Sequence, residues 1–173
     1  MPSPGKVVHA GKGITTFGSL KRNFSTWGQK IATLFSENGL PAEYVEDLAP
    51  LLWEKVAINA VINPLTALLT VRNRALCENS ALKKLASLFL DEVRAVARRE
   101  GTSLEAIEDT VFQVSANTGD NRSSMLQDIL QQKRTEIDFI NGAIIERAKK
   151  HEMTVPFNLC LFLLVKSKEK SYL

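Results

Sequence analysis

Apolar residues recur at helical spacing along most of this chain, and the breaks in that pattern fall at glycine and proline. The amino end differs. Lys6 to Ala10 and Gly13 to Gly18 are short, glycine-bounded and rich in β-branched residues, which predicts two strands joined as a hairpin. Two strands alone are not stable, so the pair reads as the tail of a larger sheet. From Ser25 to Asn38 the pattern predicts an amphipathic helix closed by Gly39 and Pro41, with a short extended piece at Ala42 to Val45. A long helix is predicted from Asp47 to about Leu69, and another from about Asn79 to Glu100, stopped by Gly101. A helix from Ser103 to about Ala116 follows. Ser124 and Gln127 then fit a capping box that opens a short helix. Thr135 to Asp138 resembles a further helix start, after which Ile137, Ile140, Ile144 and Ala148 hold one stripe. Pro156 opens the last helix, to about Lys168. The fold class expected is mainly α with a small strand pair at the amino end.

The long helix carries the most informative break in the pattern. Trp53 to Leu69 is apolar nearly all round, as in a buried helix, yet Lys55, Asn59 and Asn63 recur at i, i+4 and i+8. At about 100° per residue the three fall within an arc of roughly 80°. Lys55 could reach the surface along its stem, and the asparagines could bond to nearby backbone. Three polar groups in register on an apolar helix need partners, and a ligand facing one ammonium and two carboxamides supplies them.

Composition narrows the classes. With 173 residues, 45% apolar and 24% charged, the chain is one globular domain, or one and part of another. A net charge of +3 without a basic stripe does not point to nucleic acid. Cys77 and Cys160 lack metal spacing, and so sparse a cysteine usage fits a reducing, cytoplasmic setting. His9 and His151 have no partner at catalytic or metal spacing and are expected at the surface, so no metal is expected. The amino end has no apolar core of signal-peptide length. The apolar run Leu159 to Val165 is too short to span a bilayer.

Three stretches, LLWEKVAINAVINPLTAL, NRSSMLQDILQQKRTEIDFINGAIIERAKKHEMTVPFN and VVHAGKGITTFG, resemble the ketopantoate reductase (2-dehydropantoate 2-reductase) family. They cover nearly the whole chain in the family's order. The resemblance implies a Rossmann-type nucleotide-binding domain followed by an all-helical domain, with NADPH reducing ketopantoate to pantoate on the way to pantothenate and coenzyme A. It implies that Lys55 is catalytic, that Asn59, Asn63, Asn73 and Ser124 bind substrate, and that Glu136 contacts the cofactor. Lys55 would then hydrogen-bond the keto oxygen and donate a proton as hydride arrives. Asn59 and Asn63 would orient the substrate, and Ser124, at a helix start, would suit its carboxylate. From sequence alone Glu136 is an ordinary first-turn acid, and Asn73 lies in an ordinary loop.

The chain departs from that pattern. No G-x-G-x-x-G follows a strand and opens a helix, and Gly11-Lys12-Gly13 leads to Thr16 in a predicted hairpin. The expectation is therefore that residues 1–44 are a remnant of the nucleotide-binding domain, and residues 45–173 the helical domain of a two-domain reductase. Its partners would be ketopantoate, the missing Rossmann domain and a second copy in a homodimer. Alone, the chain is expected to be inactive and to bind NADPH weakly. Two alternatives stay open: half of a related 2-keto acid reductase, or a non-enzymatic helical dimerisation module.

Overall fold

In a computed structural model of the chain, residues 5–6, 13–20 and 25–173 are described. Contacts divide it into two units, Met1–Ala49 and Pro50–Leu173. The first is a strand–helix–strand crossover. β1 (Thr15–Gly18) leads to α1 (Thr26–Glu37), and β2 (Ala42–Val45) lies parallel to β1, with Thr15 opposite Ala42 and Gly18 opposite Val45. The first limb of the expected hairpin, residues 7–10, lies outside the described residues; its second limb pairs in parallel with residues 42–45. A parallel pair needs a crossover of roughly a dozen residues or more, usually a helix, and α1 supplies it. The flanking glycines signal turns, but not which strand comes alongside.

Local chemistry sets both ends of α1. The Ser25 hydroxyl accepts from Gly28 N at 3.1 Å, and Ser25 N donates to the Tyr44 hydroxyl at 2.8 Å. That draws the Tyr44 ring against the helix, where a Cβ on Gly28 would lie 2.4 Å from it. At the other end Gly39 takes φ +79°, a conformation that suits glycine at a helix stop. The Ser36 hydroxyl then bridges to Ala42, 2.9 Å from its O and 3.0 Å from its N. Phe17 and Phe35 meet edge to face at 5.1 Å. Trp27, Ile31 and Leu34 of α1 remain exposed.

The remaining helices are α2 (Ala49–Leu69), α3 (Ala75–Glu78), α4 (Ser80–Arg99), α5 (Ile107–Asn117), α6 (Ser124–Leu130), α7 (Asn141–Lys150) and α8 (Pro156–Lys170). The chain is mainly helical, as expected. α4 follows its pattern closely: Asn79 accepts from Ala81 N and Leu82 N, and Leu82, Ala86, Phe89, Leu90, Val93, Val96 and Ala97 form the buried face. α7 does not start at Thr135. Residues 137–140 form a turn first, although Ile137, Ile140, Ile144 and Ala148 are all buried as the stripe requires. The Thr135 hydroxyl does accept from Ile137 N at 3.3 Å, but a buried glutamate of α8 holds it as well. His151 is half-buried and has a partner that sequence spacing could not reveal: its Nε2 lies 2.5 Å from Glu100 Oε1. This hydrogen bond, with the charge of Arg147, holds the Glu100 carboxyl below the usual range against the effect of burial. Cys77 and Cys160 are free thiols. Among the described residues no group of three or more His, Cys, Asp or Glu could hold a metal ion, and no helix is long and apolar enough to cross a membrane.

Candidate functional site

The Asp47 carboxylate accepts from Ala49 N at 2.9 Å at the start of α2. From Ala60 to Ala67 every residue of this helix is buried, so its second half is the all-round apolar core helix its sequence predicts. Lys55 is exposed, Asn59 half-buried and Asn63 only 5% exposed. The stripe thus descends from surface to interior over about 12 Å of helix. Lys55 was expected on the buried part of the helix; instead it sits about a turn and a half before that part, beside the exposed Leu51, Leu52 and Glu54. No hydrogen bond or ion pair engages the side chains of Lys55, Asn59 or Asn63 among the described residues. Three polar groups in line, one of them in the core, keep their bonding capacity free.

Pro64 interrupts the same helix. It has no N–H, so the carbonyl of Ala60 loses its ordinary partner one turn on. Asn141, at the start of α7 and fully buried, donates from Nδ2 to that carbonyl at 3.1 Å. The same Nδ2 donates to Asn158 Oδ1 at 3.1 Å, and Asn158 Nδ2 donates to Glu92 Oε2 at 2.8 Å. Further along α2, the Thr66 hydroxyl lies 2.7 Å from Ser123 Oγ. Thr66 is one turn from Asn63 on the helix surface, so the start of α6 is fastened beside the buried end of the stripe.

Ser124 follows the serine that meets Thr66, and it does not take the role its motif predicts. The cap of α6 is Ser123, whose hydroxyl accepts from Leu126 N at 3.1 Å. Gln127 turns to Arg122 O at 3.0 Å rather than closing a box with Ser124. Either of two adjacent serines can cap a helix, and tertiary contact with Thr66 selects the first. Ser124 is left exposed.

Asn73 is buried and joins the chain after α2 to the end of α5: its Nδ2 donates to the Thr118 hydroxyl at 2.9 Å, and its N donates to Asn121 O at 3.1 Å. Its Oδ1 is buried without a partner. Glu136 is exposed, and no ion pair joins it to Lys55 among the described residues. Its neighbours are held firmly. Glu169 of α8, 2% exposed, accepts from Thr135 N at 2.6 Å and from the Thr135 hydroxyl at 2.7 Å. Lys166 lies 2.8 Å from Asp138 and 3.0 Å from Glu169. Burial pushes the Glu169 carboxyl up, but the Thr135 bonds and the Lys166 ammonium outweigh it and hold it below the usual range. The hydrogen bond that Lys166 donates to Asp138, then that to Glu169, raises its ammonium above the usual value.

Two open clefts lie elsewhere. One of about 610 Å³ is lined by Arg72, Asp120, Arg122 and Gln127, and one of about 380 Å³ by Arg74, Cys77 and Thr118. Neither is lined by Lys55, Asn59 or Asn63. Sequence reasoning missed Asn141, Asn158, Ser123 and Glu169. Pro64 inside a helical pattern was the one available signal, because an interior proline leaves a carbonyl for some other group to satisfy.

These features define a helical domain whose central helix carries a graded cation–amide stripe. The sequence profile described as "Ketopantoate reductase PanE/ApbA C terminal" matches residues 47–169, and the chain belongs to that family. The 2-dehydropantoate 2-reductase of Archaeoglobus fulgidus is 38% identical over 165 residues, covering 95% of this chain and 56% of the relative. The chain spans about half the length of the curated relatives it matches. Among solved structures, D-mandelate dehydrogenase with NADH superposes with a TM-score of 0.87 at 28% identity, over 94% of this chain and 56% of that one. A ketopantoate reductase from Ralstonia eutropha gives 0.85 at 27% identity, over 95% of this chain and 54% of that one.

Proposed function

We propose that this chain supplies the substrate-binding part of an NADPH-dependent 2-dehydropantoate 2-reductase, residues 45–173 forming the helical domain and residues 1–44 belonging to its nucleotide-binding domain. The observation that carries the reading is the stripe of Lys55, Asn59 and Asn63, whose side chains have no hydrogen-bond or ion-pair partner among the described residues, on a helix whose second half is core. Family membership supports ketopantoate as the ligand of such a stripe. Reducing a ketone adds hydride at carbon and a proton at oxygen. Lys55 hydrogen-bonds the keto oxygen, polarises it and donates the proton. Asn63 and Asn59 bond the substrate's other polar groups from one side and hold the carbonyl in place. Ser124, exposed at the start of α6, adds a further donor. In this reading Asn73 acts indirectly, holding the turn after α2 through its bonds to Thr118 and Asn121.

The described residues do not fit a dinucleotide. The N-terminus of α1, the helix of the strand–helix–strand unit, is capped by Ser25 and occupied by the Tyr44 ring against Gly28, where a pyrophosphate would need open N–H groups. Glu136 offers one exposed carboxylate. The reduced nicotinamide that supplies hydride is assigned to the length of protein that full-length relatives have and this chain does not match.

A second reading, reduction of another 2-keto acid, is favoured by the likeness to D-mandelate dehydrogenase. Titrating the ¹⁵N-labelled chain with ketopantoate and, separately, with phenylglyoxylate (the keto acid corresponding to mandelate) tests both. Movement of the Asn59 and Asn63 carboxamide signals with ketopantoate, lost in Asn63→Ala, is the expected result. Movement with phenylglyoxylate alone selects the second reading, and no movement with either removes the stripe from substrate binding.

A further inference from the structure

We propose that Asn141 is a positioning residue for the substrate stripe: it supplies the hydrogen bond that Pro64 removes from α2 and thereby sets the line of Asn59 and Asn63. This rests on the reading that the stripe binds the keto acid. Pro64 cannot donate to Ala60 O, and its ring crowds that carbonyl out of the helical ladder. Ala60 lies between the two asparagines and is fully buried, so water does not replace the missing donor. An unpaired carbonyl there would be strongly unfavourable. Asn141 Nδ2 meets it at 3.1 Å.

Hydrogen-bond logic fixes which way this amide faces. The Glu92 carboxylate, an acceptor only, takes bonds from Phe157 N at 2.9 Å, Asn158 N at 2.8 Å and Asn158 Nδ2 at 2.8 Å. Asn158 must therefore turn its Oδ1 toward Asn141, which has to answer with an N–H. The second N–H of Asn141 goes to Ala60 O, again an acceptor only. Both donors of Asn141 face acceptors, and its Oδ1 is left buried and unpartnered. A group that leaves its own acceptor unsatisfied is oriented by the demand for its donors. The relay runs from Glu92 on α4 through α8 and α7 to the carbonyl that Pro64 leaves open in α2. The stripe's geometry is thus set by three other helices rather than by α2 alone.

A double-mutant cycle in the whole chain tests this without any substrate. Pro64→Ala restores an N–H for Ala60 O. Asn141→Ala should lower the melting temperature by about 5 °C in the Pro64 background and shift the carboxamide signals of Asn59 and Asn63 in ¹⁵N–¹H spectra. In the Pro64→Ala background the same change should have less than half that effect on melting and leave those two signals in place. Loss of the Asn158 partner is common to both backgrounds and cancels. Equal effects in the two backgrounds, or Asn59 and Asn63 signals that ignore Asn141→Ala, would overturn the proposal. Should Asn141→Ala not fold, Pro64→Ala alone decides. The Asn141 carboxamide signals must then move, because their acceptor is taken, and unmoved signals overturn the relay. Absence of ketopantoate binding alongside a positive cycle refutes the substrate assignment and leaves the relay standing.

Discussion

Lys55 and Asn63 lie two turns apart on one face, yet one is in water and the other in the core. Their substitutions should differ accordingly. In a complete enzyme carrying this half, Lys55→Ala should lower kcat by roughly 10²–10⁴-fold, the range for a general acid, with no change in melting temperature. Near-normal turnover would take Lys55 out of the proton transfer. The adjacent serines make a sharper pair. Ser123→Ala removes the cap of α6 and should destabilise by about 1–2 kcal/mol, whereas Ser124→Ala should leave stability alone and weaken keto-acid binding. Chemical denaturation of both variants checks this, and equal stability losses would return the cap to Ser124.

At the scale of elements, the segment before α7 is held by one carboxylate. Glu169 is kept below its ordinary value in the fold. Its contribution is therefore complete above the unfolded carboxylate pKa of about 4.3 and is lost as pH falls through the lower folded value. Hydrogen exchange should show residues 133–136 opening in acid before α4 does, and Glu169→Gln should make that opening independent of pH over the same window. In the strand–helix–strand unit, Gly28→Ala places a methyl within 2.4 Å of the Tyr44 ring. It should destabilise that unit by about 1–3 kcal/mol through overpacking, seen as faster exchange in α1 with α4 unchanged.

For the molecule as a whole, two sets of exposed apolar residues matter: Trp27, Ile31 and Leu34 on α1, and Leu159, Leu163 and Leu164 on α8. Surfaces of this kind favour association. With the helix start that could cradle a pyrophosphate already capped, the purified chain should show no tight NADPH binding and should elute from a sizing column larger than a 19.2 kDa monomer. Micromolar NADPH affinity in a monomer would mean the cofactor site has been misplaced.

Most of the helical fold was legible in the chain because its signals are local. Periodicity placed α4 and α8 within a residue or two, Gly39 and Gly101 ended helices where φ turns positive, and the Lys55–Asn59–Asn63 spacing singled out α2. Matters decided between distant residues were not legible. That Thr15–Gly18 lies alongside Ala42–Val45 follows only from the crossover through α1. Ser123 and Ser124 are equal candidates for a cap until Thr66, 57 residues away from the first, chooses between them. Pro64 announces an orphan carbonyl, but that its donor is Asn141, 81 residues from Ala60, follows only from how α7 packs on α2. A side chain's local preferences travel with its sequence, whereas its hydrogen-bond partner and its exposure to water exist only once the chain has brought remote elements together.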